Sequence, residues 1–482
     1  MAGLRLRTTC LRSREKMKSI SIRGALASLS LSMLLSSLGT SIANVGLPTL
    51  AEAFSASFQA VQWVVLAYLL SITALIVSVG RLGDLLGRRR LLLIGIALFT
   101  VASLLCALAP NLWLLIAARA LQGVGAATMM ALAMALVSGA VPKDKMGSAM
   151  GILGTMSAIG TSLGPTLGGV LIAQVGWQGI FLLNLPLGVL AIGLAWRFLP
   201  QDRHEMTSTR PDFDALGTLV LVLTLLAYAL AMTLGRGSFG PLNTALLLVA
   251  VIGLMVFVFV EQTAASPLVK LAMLRNPLLS AGLAMSTLVT RVVMATLVVG
   301  PFYLSGALGL SAVSVGLVMS AGPLVAALAG VPSGRLVDRW GAQRSSSVGL
   351  IAMLTGACIL PALPMAFGVP GYIVPLAVIT AGYALFQAAN NTAVMLEIEA
   401  QQRGVVSGLL GLSRNLGLIT GASVMGAVFA FGTASDDILQ AQPEAIAQGM
   451  RLTFAVAAGL ILVALVLGAV SKIVSRRLIA PC

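Results

Sequence analysis

Apolar stretches long enough to cross a bilayer recur along nearly the whole chain, and polar residues gather in the short gaps between them. A transmembrane helix needs about 20 predominantly apolar residues, and the pattern predicts fourteen such spans. Six fall near 25–47, 61–80, 91–109, 112–138, 148–173 and 178–197. A polar stretch at 201–214, carrying His204, interrupts them. Two further spans follow near 215–234 and 243–261, and six more near 278–304, 312–333, 346–367, 371–395, 405–430 and 452–471. The first follows Arg12, Arg14, Lys16, Lys18 and Arg23, as a signal peptide would. It is too long for such a segment and an even span count requires it, so it reads as a retained helix. Residues 1–16 match no structural element, which leaves Met17 as an alternative start to Met1.

Composition agrees with this pattern. Of the 482 residues, 58% are hydrophobic and 9% charged, against about 25% charged in a soluble domain, so the chain cannot cover a soluble surface. The formal charge of +15 would by itself suggest nucleic acid, but the positions of the basic residues exclude it. With the N-terminus placed in the cytoplasm, all 30 Lys and Arg fall on the cytoplasmic side except five. Arg236 and Arg451 lie opposite, and Arg119, Arg291 and Arg414 lie within spans. This is the positive-inside bias. It places both termini on the cytoplasmic side. The four cysteines, Cys10, Cys106, Cys358 and Cys482, form neither a disulfide framework nor a metal-ligand spacing.

An internal repeat organises the spans. Residues 80–90 read GRLGDLLGRRR and residues 334–344 read GRLVDRWGAQR, identical at six of eleven positions and each placed after the second helix of a six-helix block. The spacing G-R-L-x-D-x-x-G-x-x-R resembles the signature loop of the major facilitator superfamily, and the resemblance covers residues 23–471. It implies an all-α integral membrane protein of two six-helix bundles plus two central additional transmembrane helices. The chain then divides into a tail (1–22), a first bundle (23–197), linker segments with the two extra helices (198–277), a second bundle (278–471) and a tail (472–482). The resemblance gives Gly80, Arg81, Asp84, Gly87, Arg88, Gly334, Asp338 and Gly341 a gating role. A carboxylate at the membrane face can hold a gate by charge pairing and by contact with a neighbouring helix N-terminus.

Other motifs narrow the family. RALQGVGAA carries Arg119, Gln122 and Gly123 on one helix face at i, i+3, i+4. An arginine at membrane depth is costly and normally faces a bundle interior or a water-filled cavity, so Arg119 and Gln122 read as coupling or cavity residues, with structural bracing as the plainer role. GTSLGPTLGG is similar to the motif that marks antiporters: Gly160, Gly164 and Gly168 form a helix-packing stripe and Pro165 bends the helix. LGTSIANVGLP, GWQGIFLLNLPLG and SRNLGLITG are similar to the first, sixth and penultimate helix motifs of the fourteen-helix drug:proton antiporters. The match has gaps. Gly39 stands where members usually carry an aspartate, and Gln178 and Gly179 replace an arginine and an aromatic residue.

No acid lies near the centre of any span. Glu52, Glu261, Glu397 and Glu399 sit at span ends, while depth is occupied by Arg119, Arg291 and Arg414. Asn44, Tyr68, Asn184, Gln387, Asn390 and Asn391 are candidate substrate contacts, with helix-packing bonds as the alternative for most of them. The resemblance implies a monomeric exporter of small amphipathic molecules in the lipid bilayer of a bacterial inner membrane. It would have no metal and no cofactor beyond a proton as coupling ion, and would alternate access by rocking its bundles. An exporter of organic anions or metabolites with different coupling is the alternative. A membrane enzyme would need a catalytic constellation, and His204 in a linker supplies none. A receptor would need an output domain, for which the gaps are too short. A channel fits a repeated, gated pair of bundles less well than a carrier does.

Overall fold

The structure is a computed structural model. It describes the backbone of residues 2–56, 58–201, 214–234, 240–264, 266–434 and 441–479, and their side chains except 2–21, 58–59, 165, 312–313 and 475–479. Met1, His204, Arg236 and Cys482 lie outside these, as do the side chains of Cys10, Met17, Pro165, Arg476 and Arg477.

All regular structure among the described residues is helical. Fourteen spans follow in order: α1 (Ile22–Val45), α2 (Ala60–Leu86), α3 (Arg88–Ala107), α4 (Leu112–Ala140), α5 (Met146–Val175), α6 (Gly179–Phe198), α7 (Ala215–Thr233), α8 (Pro241–Thr263), α9 (Pro277–Ala307), α10 (Ser314–Trp340), α11 (Ala342–Ala362), α12 (Met365–Glu397), α13 (Ala400–Thr433) and α14 (Pro443–Val474). Helix α5 is bent by 43° between Lys143–Gly164 and Thr166–Val175, either side of Pro165. Helix starts follow local chemistry: Asn111, Asp214 and Asn276 each accept from backbone N–H groups of the first turn, and Pro241 and Pro277 occupy first-turn positions.

The two signature segments expected as loops are almost entirely helical. Helix α2 continues through Arg81 and Asp84 to Leu86, α10 continues through Asp338 to Trp340, and each turn narrows to a single glycine. Gly87 has φ 99° and Gly341 has φ 83°, a region that side chains other than glycine rarely adopt. Hydropathy ended these spans early because charges lower the average, whereas the backbone stays hydrogen-bonded as a helix.

Packing is pairwise and close. Helix α1 lies along α5, α3 on α4, α2 on α4, α9 on α13 and α14, and α11 on α12; α5 packs on α10 and α2 on α13. Four buried hydroxyls on α1 to α3 return to their own helices: Ser32 and Ser36 donate to the carbonyls four residues back, as do Thr73 and Ser103, whereas Ser37 and Ser41 reach Ser157 and the Gly160 carbonyl of α5. One hydrophobic cluster joins α1 to α6 with Val394 and Met395 of α12, Val405 and Leu410 of α13, Leu221 of α7 and Phe257 of α8. A second fills the bundle α9 to α14. Helix α8 turns Leu248, Ile252, Met255 and Phe259 outward, each more than half exposed, as a helix facing lipid must.

The stripe on α5 meets α1. A Cβ on Gly160 would lie 2.5 Å from the Leu34 carbonyl oxygen, and one on Gly164 would lie 2.0 Å from Ser41 Oγ and 2.9 Å from the Ile42 nitrogen. Gly168 has looser contact, with Ile42 Cγ1 at 3.2 Å, and Gly169 has nothing within 4 Å. Gly164→Ala should therefore cost about 1–3 kcal/mol by overpacking, Gly164→Leu more, and Gly169→Ala nearly nothing. Thermal unfolding of the purified chain in detergent checks this order.

Candidate functional site

The site begins with two carboxylates on the face of the molecule where the signature segments lie. Asp84, near the end of α2, accepts at Oδ1 from the Gly404 N–H at 3.0 Å and at Oδ2 from the Val405 N–H at 3.1 Å. Gly404 and Val405 open the main helical run of α13, Arg403–Thr433. The first turn of a helix leaves N–H groups without intrahelical partners and carries partial positive charge, so a carboxylate there is doubly favoured. Arg88 completes the arrangement: its Nε and Nη2 lie 2.9 and 2.8 Å from Asp84 Oδ1, and it donates to the Ala400 carbonyl across the seam.

The repeat builds a counterpart. Asp338, near the end of α10, accepts at Oδ1 from the Gly147 N–H at 2.7 Å and at Oδ2 from the Ser148 N–H at 2.9 Å, where the Ser148 hydroxyl also donates. Gly147 and Ser148 open α5. Each carboxylate therefore caps a helix of the opposite bundle. The two copies differ in their third contact: Ala342 stands where the first copy has Arg88, and the Ser148 hydroxyl takes up the bond instead.

Close approach needs small residues. A Cβ on Gly80 would lie 2.2 Å from the Gly404 carbonyl oxygen, and one on Gly404 would lie 2.2 Å from the Gly80 carbonyl oxygen and 2.5 Å from Asp84 Oδ1. Gly334 and Gly147 meet almost as closely, with Cβ positions 2.4 and 2.7 Å from each other's carbonyl oxygens, and Gly151 and Gly330 at 2.4 and 3.0 Å. The partner positions, Gly147 and Gly151 on α5 and Gly404 and Gly408 on α13, were not singled out from the sequence. They form matching G-x-x-x-G steps near the starts of the fifth helix of each bundle, a signal visible in the repeat.

Arg119 lies fully buried inside the first bundle. Its Nε donates to the Val64 carbonyl at 2.9 Å and its Nη2 to the Gly39 carbonyl at 3.1 Å; its Nη1 meets Gln122 Oε1 at 2.5 Å, and the guanidinium stacks 4.2 Å from the Tyr68 ring centroid. Gln122 donates onward to Ser103 Oγ at 2.6 Å, and the Tyr68 hydroxyl donates to the Ser36 carbonyl at 2.7 Å. The network ties α4 to α1, α2 and α3. Gly39 stands inside it, with a Cβ position 2.9 Å from the Tyr68 hydroxyl. The backbone carbonyl of Gly39 thus meets the arginine at the position where an acid was expected from the resemblance.

Comparison with known proteins then decides the family. The sequence signature of the Major Facilitator Superfamily matches residues 29–422. The riboflavin transporter RibZ of Clostridioides difficile is 30% identical over 441 residues, which cover 90% of this chain and 94% of RibZ. The multidrug resistance protein Stp of Mycobacterium tuberculosis is 32% identical over 392 residues, covering 81% of this chain and 72% of Stp. The structure of the proton:xylose symporter XylE superposes with a TM-score of 0.65 at 15% identity, over 92% of this chain and 95% of XylE, which shows a common fold. The chain belongs to the major facilitator superfamily.

The remaining candidates of this transporter are spread over both bundles. Arg291 on α9 and Arg414 on α13 are half-buried, and the Nε of each is buried without a hydrogen-bond partner among the described residues. Gln387 and Asn391 on α12 are half-buried, whereas Asn390 is buried and donates to the Gly282 carbonyl of α9 at 3.1 Å. Asn44 is exposed near the end of α1 and its side chain returns to the Thr40 carbonyl. Tyr68 and Asn184 are enclosed in the first bundle; both amide atoms of Asn184 lack partners among the described residues.

The Asp84 contacts predict a change in access. Ser407, 1% exposed, donates from α13 to the Ala131 carbonyl of α4 across the seam. In a background without native cysteines, a thiol at Ser407→Cys should resist a membrane-impermeant maleimide. Adding Asp84→Asn, which removes the charge pair and weakens the helix cap, should raise labelling at least about tenfold, the factor that corresponds to about 1.4 kcal/mol. Labelling rates of the two proteins test it.

Proposed function

We propose that this transporter exports small amphipathic compounds across the inner membrane of a bacterium, by proton antiport and as a monomer, with its two bundles rocking about a midplane site. The observation that carries the reading is the reciprocal closure by Asp84 and Asp338. The basic bias of the loops assigns that face to the cytoplasm, so this conformation is sealed on the side from which an exporter loads. Gly80, Arg81, Gly87 and Arg88 serve the first gate, and Gly334 and Gly341 the second. Breaking both carboxylate caps opens the loading face. The name of Stp, a multidrug resistance protein at 32% identity, supports export of drug-like compounds.

Charge at depth favours a substrate class. The guanidinium of Arg119 is taken up by two carbonyls, Gln122 and the Tyr68 ring, which leaves Arg291 and Arg414 as the cations for a bound molecule to meet. Gln387 and Asn391 on α12 supply polar contacts. A cation exchanged for one proton moves no net charge and gains only the pH gradient, about 1.4 kcal/mol per unit. Neutral and anionic substrates gain in addition from the membrane potential, about 2.3 kcal/mol per charge per 100 mV. The second reading, an exporter of organic anions or metabolites with different coupling, draws on the same arginines and on the relative named as a riboflavin transporter.

Growth of an efflux-deficient host challenged with diverse toxic compounds and organic acids tests export itself: expression should protect, and Asp84→Asn should abolish most protection while the protein still inserts. In proteoliposomes, a neutral drug and an aromatic acid should move faster than a lipophilic cation. Arg291→Ala should reduce transport of the acid at least about threefold, equivalent to roughly 0.6 kcal/mol. A cation moving fastest, with the ranking unchanged in Arg291→Ala, would exclude these arginines from the substrate site.

A further inference from the structure

A second pair of carboxylates meets outside both bundles, where α7 begins and α8 ends. Asp214 caps α7 by accepting at Oδ1 from the Gly217 N–H at 2.7 Å. Glu261, 4% exposed, accepts at Oε2 from the Val269 N–H at 3.1 Å in the segment that leaves α8. The other oxygen of each, Asp214 Oδ2 and Glu261 Oε1, is buried with no hydrogen-bond partner among the described residues. Both face Gly217, where a Cβ would lie 2.4 Å from Asp214 Oδ2 and 2.6 Å from Glu261 Oε1. The two oxygens are therefore no more than about 5 Å apart.

Among the described residues, the charged groups around the pair are few. Arg81 of α2 lies within electrostatic reach of Glu261. Lys270, after α8, and Glu399, before α13, line with Arg81 a cavity of about 240 Å³ that also reaches Leu268 and Val405. Leu268 adjoins the residue holding Glu261, and Val405 donates to Asp84. The cavity thus lies beside the segment that holds Glu261 and beside the first gate, while neither acid of the pair lines it. Two ionised carboxylates this close, Glu261 buried and Asp214 half-buried, with Arg81 the one guanidinium within reach of Glu261 among the described residues, repel each other. One proton converts that repulsion into a hydrogen bond, because a protonated carboxyl donates and its ionised neighbour accepts.

We propose that Asp214 and Glu261 hold one proton between them at neutral pH, bridging Asp214 Oδ2 and Glu261 Oε1, and exchange it with the cytoplasm. The proton comes from water and returns to it, and no other group changes. Arg81 precedes Asp84 by three residues on the same helix, so loss of the proton changes the field at the gate. The site does not depend on what the transporter carries, and its test reads proton binding without transport.

Infrared difference spectra of the full chain in nanodiscs, between acid and alkaline pH, should show a protonated-carboxyl band that persists at neutral pH. Glu261→Gln should abolish the neutral-pH band, and Asp214→Asn should shift or weaken it, because Glu261 stays buried but loses the carboxylate that shares its proton. In the unsubstituted chain, carbon-13 labels on aspartate and on glutamate should each shift the band, which decides the matter if a variant fails to fold. A neutral-pH band absent from the unsubstituted chain, surviving Glu261→Gln, unmoved by Asp214→Asn, or responding to only one label would overturn the proposal. A missing band together with stabilisation by sodium or calcium would make the pair a metal-cation site and overturn it as well.

Discussion

A carboxylate meeting a helix N-terminus across the seam is the interaction on which this conformation depends. The first N–H groups of α5 and α13 have no intrahelical partners, and both helices begin where the bundles touch. Asp84 and Asp338 take up those groups from the opposite bundle. Neither interaction is a buried hydrophobic lock. Both sit at the end of a helix near the basic loops, where water can compete for the same groups once the helices part, so the closure is strong in place and reversible in principle.

Glycine makes that interaction reachable. The carboxylates approach the opposing helix starts only because Gly80 and Gly404, and Gly147 and Gly334, let backbone lie on backbone. Between helices in lipid, association rests on close packing and interhelical hydrogen bonds more than on burial of apolar surface. The same logic holds α1 against α5. The closure and the internal packing of the first bundle thus use one device, with the difference that only the closure carries charge.

The two bundles are not equivalent inside. The first is cross-braced by Arg119, whose donors reach α1 and α2 and, through Gln122, α3. The second keeps Arg291 and Arg414 with buried nitrogens unpartnered among the described residues. Of the extra helices, α7 attaches at the seam and α8 packs on α7. Tyr228 of α7 bonds Thr420 of α13, and Ser423 donates to the Met232 carbonyl at 2.6 Å, while α7 also packs on α2.

Much of this protein was legible along the chain because a bilayer imposes local rules. Hydropathy placed fourteen spans, since every buried backbone group must be satisfied within its own helix. The repeat of G-R-L-x-D singled out Asp84 and Asp338, and the stripe from Gly160 to Gly168 announced a close helix contact. What each carboxylate meets was not legible, because Gly404 lies 320 residues from Asp84 and Gly147 lies 191 from Asp338. Hydropathy likewise could not show that Tyr68 and Asn184 are enclosed, that the signature segments stay helical to a single glycine, or that Asp214 and Glu261 converge on Gly217. Sequence determined which segments enter the membrane, since that is decided residue by residue through transfer free energy. Tertiary structure alone decided which charges find partners, because a carboxylate's environment is set by helices that only packing brings together.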